Sequence, residues 1–359
     1  MTNFIPISVN AGPTAAQGGT FNIPYASVKL CQPGTTTCAT INDVLVDTGS
    51  TGLRIMASAL AATGLTLTDT PDPNSPGKII AECLPFADGY TWGPIAIADV
   101  SMGGELASGL SINIIDDNHS SGLTAPASCT NGVSTSSTSL NSVVAFAANG
   151  VLGVGTSDQD CGDSCANCQN FMSGCTGTSD LYYSCNTGNN TCAFTPVPLT
   201  SQVRDPVVLF ATDNNGAILS LNAVPAAGQA TASGTLTFGI GTQSNNGLGS
   251  AFVLMINNIG NFTTIYKSQT LNGSFIDSGS NGLYFPDSSI TVCPSTASNP
   301  HANDFFCPPS TLSETATLQG QDNATNVVGF QVFNLNSFSP SVYATPALAG
   351  PAATNATLG

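Results

Sequence analysis

Two stretches of this chain repeat one another, and each ends an apolar run on an aspartate. Val44-Leu45-Val46-Asp47-Thr48-Gly49-Ser50-Thr51-Gly52-Leu53 returns as Ser274-Phe275-Ile276-Asp277-Ser278-Gly279-Ser280-Asn281-Gly282-Leu283. One such triplet alone reads as a turn, since Asp, Thr and Gly are turn residues. Two matched copies, one in each half, predict a duplicated lobe that delivers one carboxyl each to a common place. Two carboxyls held close cannot both ionise easily, so they share a proton and titrate as a pair. One of them then accepts a proton from water while the other polarises a carbonyl, which is metal-free hydrolysis of an amide. Asp47 and Asp277 are thus the candidate catalytic residues. Gly49 and Gly279 let the backbone turn tightly under each acid. The hydroxyls of Thr48 and Ser278 are placed to brace the two loops, and those of Ser50 and Ser280 to hydrogen-bond the carboxylates.

The elements that must position these loops read as strands. Short runs rich in Val, Ile and Thr recur between Gly, Asn, Pro and Ser, among them PIAIADVSMGG, GLSINII, NGVLGVG, PVVLFAT, GTLTFGIG, AFVLMI and FTTIYKS. Their two-residue alternation predicts an all-β protein with many turns. Ser58–Gly64 reads as one short helix. Residues 116–141 and the cysteine-dense 158–195 read as loops. A Pro-containing junction near 196–206 divides the chain into an N-terminal lobe, 1–200, and a C-terminal lobe, 201–359.

Composition limits the partners. The 359 residues carry 5 basic and 21 acidic side chains, a formal net charge of −16, which disfavours nucleic acid and anionic membranes. No stretch reaches the roughly 18–20 apolar residues of a membrane span. The first residues lack the basic and apolar regions of a signal peptide, so an exported form is expected to have lost one. The 12 cysteines predict disulfides and an oxidising compartment, secreted or periplasmic. Cys31 and Cys38 close a short loop, and Cys293 and Cys307 form a second local pair. Cys161, Cys165, Cys168, Cys175, Cys185 and Cys192 crowd together, which leaves Cys83 with Cys129. A zinc site at Cys165 and Cys168 is the alternative for the crowded segment, but no second such pair follows. His119 and His301 sit in polar or Pro-flanked loops and suggest no Ser-His-Asp set. No cofactor or metal is expected.

The paired loops resemble those of the pepsin family of aspartic peptidases, whose two lobes each give one aspartate to a shared cleft. Val151-Leu152-Gly153 resembles the apolar-apolar-Gly segment that supports the family's first loop, and Gly234–Gly239 the strand before the second. Phe86-Ala87-Asp88-Gly89-Tyr90 resembles the flap hairpin that closes over substrate, which implicates Phe86, Asp88, Gly89, Tyr90 and Trp92 in substrate binding. The flap's usual tyrosine is replaced by Phe86. Val327-Val328-Gly329 is the candidate support for the second loop, unless that support is missing. The whole chain is also similar to a group of exported bacterial proteins sharing its CxPGTxxC, VDTGSTGLR, DCG, DNNG, FGIGTQSNN and DSGSNGLYFP blocks, which bring no activity with them. The pepsin resemblance implies a bilobal all-β fold and a monomeric endopeptidase acting in acid on peptides or proteins. The alternative it leaves is a pepsin-fold binding or inhibitor protein with weak or no catalysis.

Overall fold

A computed structural model describes residues 2–16, 20–132, 138–167, 181–296, 299 and 301–352. Strand outweighs helix, 41% against 10%, so the chain is all-β. The strands are β1 (Phe4–Val9), β2 (Pro24–Cys31), β3 (Cys38–Asp47), β4 (Thr51–Met56), β5 (Thr68–Asp69), β6 (Ile79–Pro85), β7 (Tyr90–Met102), β8 (Glu105–Ile115) and β9 (Gly150–Val154). They continue with β10 (Tyr182–Asn186), β11 (Thr191–Phe194), β12 (Ala217–Leu221), β13 (Ala232–Phe238), β14 (Phe262–Tyr266) and β15 (Gln269–Ser274). The last are β16 (Leu283–Phe285), β17 (Leu312–Gln319), β18 (Thr325–Val332) and β19 (Ala349–Pro351). A short helix, α1 (Ala57–Ala62), follows β4 where the sequence predicts one.

One long sheet runs β11-β10-β6-β7-β8-β4-β9-β3-β2-β1-β13-β12, with β5 on β7. A second sheet, β15-β14-β17-β18, and the parallel pair β16-β19 follow in the last third of the chain. The long sheet is able to change partners because β7 is long. Its first residues pair with β6, and its later ones with β8 and β2. Along β7 the burial pattern changes accordingly, from continuously buried to alternating.

Several apolar clusters result, two of which matter most for the aspartate loops. The largest packs Val28, Leu30, Val44, Val46, Leu53, Ile55, Val100, Ile112 and Leu152, and it takes in Leu236 and Phe238 of β13. A second core joins Tyr266, Phe285, Ile290, Phe306, Ala316, Val332 and Ala349. Each fully buried Val, Leu, Ile or Phe contributes about 1.5–3 kcal/mol, so these clusters dominate the stability. β1 lies between β2 and β13, pairing Phe4 with Thr237 through Val9 with Ala232, and thereby carries the first sheet past residue 200. Further contacts join the early chain to the late one: Asn22 Nδ2 donates to the Asn281 carbonyl at 3.0 Å, and the Phe21 and Phe305 rings lie 5.3 Å apart.

Several segments differ from the sequence reading. The cysteine-dense stretch contains the hairpin β10–β11, which adds to β6, with Tyr182 opposite Glu82 and Cys185 opposite Cys192. Tyr182, Tyr183 and Cys185 are buried there, which a turn-rich sequence conceals. PVVLFAT forms a single 3-10 turn over Pro206–Leu209, capped by Asp205, in place of a strand. AFVLMI forms no strand, and Phe252, Val253 and Met255 are exposed.

Disulfides link Cys31–Cys38, Cys83–Cys129, Cys161–Cys165, Cys185–Cys192 and Cys293–Cys307. Cys168 and Cys175 lie outside the described residues. With Cys165 bonded to Cys161, its sulfur is not a thiolate available to zinc. No described helix is long and apolar enough to cross a membrane.

Candidate active site

The first aspartate loop is built around a threaded strand. β9 lies between β3 and β4, parallel to the first and antiparallel to the second. Leu45 thus faces Val151, Val46 faces Leu152 and Asp47 faces Gly153. Val151-Leu152-Gly153 therefore sits between the two arms of the loop and fixes the end of β3, where Asp47 emerges. The second loop follows β15 and leads into β16, which pairs in parallel with β19. Here the supporting segment is Leu348-Ala349-Gly350: the Leu283 amide donates to the Leu348 carbonyl at 2.9 Å, and Leu283 faces Ala349. Val327-Val328-Gly329 does not hold this position. It lies in β18 and pairs with Thr315–Thr317 of β17. The true support sits in TPALAGPAA, whose prolines and glycine read as a turn.

The loops grip one another symmetrically. The Thr48 amide donates to Ser278 Oγ at 3.0 Å, and the Ser278 amide donates to Thr48 Oγ1 at 3.0 Å. Each hydroxyl then donates to the carbonyl just before the opposite aspartate, Thr48 Oγ1 to Ile276 at 3.0 Å and Ser278 Oγ to Val46 at 2.7 Å. Within each loop the glycine amide donates to its own aspartate, Gly49 to Asp47 Oδ1 at 2.7 Å and Gly279 to Asp277 Oδ1 at 2.8 Å. The glycines have a role beyond turning the chain. A Cβ on Gly49 would come within 2.8 Å of the Asp277 carboxyl carbon, and one on Gly279 within 2.8 Å of Asp47 Oδ1. Only glycine lets each backbone approach the other loop's acid this closely.

The two carboxyls meet but have unequal surroundings. Asp47 is buried and Asp277 half-buried. Burial pushes Asp47 up to about 7, and the nearby Asp277 carboxyl adds to the rise through its charge and a shared hydrogen bond. The Ser50 hydroxyl and the Gly49 amide oppose it. Ser50 Oγ is buried beside Asp47 without a hydrogen bond of good geometry, so its influence is that of a nearby dipole. Asp277 gathers more donors: Ser280 Oγ reaches Oδ2 at 2.7 Å, and the Gly279 and Ser280 amides reach Oδ1 at 2.8 and 3.3 Å.

The hairpin between β6 and β7 turns through Phe86–Gly89, closed by the Phe86 amide on the Gly89 carbonyl at 2.7 Å. Asp88 is exposed at its tip. Burial, Asp304, Asp88 and Asp277, in that order, raise the Tyr284 hydroxyl above its ordinary range. The Phe86 ring meets Phe146 edge-on at 5.3 Å and packs on the cluster of Leu45 and Val151 beneath the first loop. Tyr90 and Trp92 are not brought to this place. They are buried with Cys83, Cys129 and Tyr183, the Trp92 and Tyr183 rings 5.3 Å apart. The alternation of β7 carries residues 90 and 92 to the far face.

Residues the sequence reading missed lie directly under the first loop. Arg54, fully buried, is joined to Glu82, Asp160 and the Thr51 carbonyl. The signal was an arginine inside an apolar strand in a chain with five basic residues. Among the described residues no group of His, Cys, Asp and Glu has a metal-holding arrangement.

A family model described as "Protein of unknown function (DUF3443)" matches residues 1–359. The chain belongs to this family. No curated protein matches it. Membership identifies relatives and assigns no chemistry, so the functional argument rests on the geometry of this member's two aspartate loops.

Proposed function

We propose that this DUF3443 member is an aspartic endopeptidase with a bilobal, pepsin-like fold, hydrolysing peptide bonds with Asp47 and Asp277. The observation that carries the reading is the reciprocal bracing of the two loops, which brings their carboxyls close enough to share one proton. Burial favours the shared proton on Asp47, and three donors converge on Asp277. Asp277 then takes a proton from water as it attacks the peptide carbonyl, and Asp47 donates its proton to the carbonyl oxygen. Collapse of the tetrahedral intermediate returns a proton to the leaving amine. An extended peptide is the fitting substrate, lying over the acids beneath the Phe86–Gly89 turn. The disulfides suit an oxidising compartment, in keeping with a secreted or periplasmic monomer.

A second reading is favoured by one observation. With a phenyl ring at position 86 and Tyr90 and Trp92 buried, the hairpin offers no aromatic hydroxyl to a bound chain. That suits a peptide-binding protein with weak catalysis. Digestion of a mixed peptide library at several pH values separates the two. Cleavage by the wild type that vanishes in Asp47→Asn and in Asp277→Asn supports the peptidase; no cleavage at any pH by folded wild type supports the binder.

A further inference from the structure

Beneath the first loop lies a second group of acids, sealed from solvent. The Arg54 side chain is 0% exposed, as is Glu82, and Asp160 is 2% exposed. Arg54 Nε and Nη2 donate to the two Glu82 oxygens at 3.0 and 2.7 Å. Nη2 also donates to Asp160 Oδ2 at 2.9 Å, and Nη1 to the Thr51 carbonyl at 2.8 Å. The Tyr182 hydroxyl donates to Asp160 Oδ1 at 2.7 Å and accepts from the Val203 amide at 2.7 Å. One side chain thus joins the aspartate loop at Thr51, the hairpin strand β6 at Glu82, the segment after β9 at Asp160 and, through Tyr182, the junction at Val203.

Such an arrangement is a poor way to gain stability, because an apolar cluster of equal volume usually does as well or better. What a forked guanidinium adds is geometry: several partners in fixed directions. The charge is also unbalanced, with two carboxyls to one guanidinium, so the cluster retains a proton. Burial holds Asp160 well above its ordinary range, and Glu82 adds to this by its charge and a hydrogen bond. Arg54 and Tyr182 oppose the shift, and with Glu82 they are the ionisable groups acting on Asp160.

We propose that Arg54 is a positioning residue for the aspartate pair, fixing the first loop against the hairpin strand through Thr51, Glu82 and Asp160. As a statement about catalysis it rests on the peptidase reading above. Arg54→Lys keeps the charge but cannot span the three partners. In protein that remains folded it should lower kcat roughly tenfold to a hundredfold, with KM close to wild type. Wild-type kcat in folded Arg54→Lys overturns the proposal.

If wild type cleaves no peptide, the peptidase reading fails separately, and amide exchange over Thr51–Leu53 and Glu82–Leu84 still decides the positioning claim. Exchange there should be faster in Arg54→Lys than in wild type, and equal rates overturn it. Should Arg54→Lys not fold, Asp160→Asn takes away one of the two carboxylate oxygens that accept from Arg54 Nη2 and the Tyr182 hydroxyl. Its exchange over the same residues should be faster than in wild type; equal or slower exchange overturns the proposal.

Discussion

At the residue scale, the candidate site depends on atoms that are missing as much as on those present. Gly49 and Gly279 each leave room for the other loop's carboxyl at a distance no Cβ tolerates. Gly49→Ala must push the Asp277 carboxyl away, and the expected result is a roughly hundredfold or greater fall in kcat/KM with Tm little changed. Measuring both on the same preparation checks this. Ser278→Ala removes one donor to Val46 and one acceptor for the Thr48 amide, costing about 1–3 kcal/mol in urea unfolding, while Ser50→Ala costs less. The two aspartates, their hydroxyl neighbours and the Val151–Gly153 support are legible in the sequence because each is written in a local motif. The burial of Tyr90 and Trp92 is not, since a one-residue change in where β7 begins its alternation exchanges the two faces. Arg54 is hidden in the sequence for another reason. Its partners, Glu82 and Asp160, are 28 and 106 residues away, beyond any local pattern.

At the element scale, the all-β class follows from alternating Val, Ile and Thr, whereas the order of strands does not. β9 enters between β3 and β4 from about a hundred residues downstream, and β1 pairs with β13 across most of the chain. Local sequence specifies strand propensity but not such pairings. The hairpin β10–β11 is hidden in the sequence because glycine, asparagine and cysteine dominate its surroundings, though Tyr182 and Tyr183 are fully buried. The disulfides test how these elements are held. Cys83–Cys129 has a sequence separation of 46 and ties β6 to the segment that follows β8. Loop-closure entropy assigns it about 4 kcal/mol, against about 2.5 kcal/mol for Cys31–Cys38, with a separation of 7. Replacing each pair by alanines and comparing urea midpoints should show the larger loss for Cys83–Cys129.

At the scale of the whole molecule, acid suits this protein in two ways. Burial pushes Asp47 and Asp205 up to about 7, with the Val207 amide partly offsetting the shift at Asp205. Unfolding releases these groups to ordinary carboxyls, which shed protons the folded state keeps. The stability they confer is present in acid and is lost as pH rises from about 4 toward about 7. Asp287 acts in the opposite sense. Burial would raise it, but Lys267, Ser289 and Tyr266 together hold it below its ordinary range, so its contribution is lost as pH falls below about 4. Tm should therefore peak near pH 4–5 and decline toward neutrality, and thermal unfolding across that range checks the sign. The formal charge of −16 adds to the decline, because self-repulsion grows as the carboxyls ionise. The measurement that bears most directly on the central claim is the pH profile of kcat/KM for one cleaved peptide, in wild type, Asp47→Asn, Asp277→Asn and the double variant. A proton-sharing pair predicts a bell in acid with its upper limb near pH 7, near-complete loss in either single variant, and no greater loss in the double. Cleavage that persists in both single variants, or that climbs through neutral pH, contradicts it.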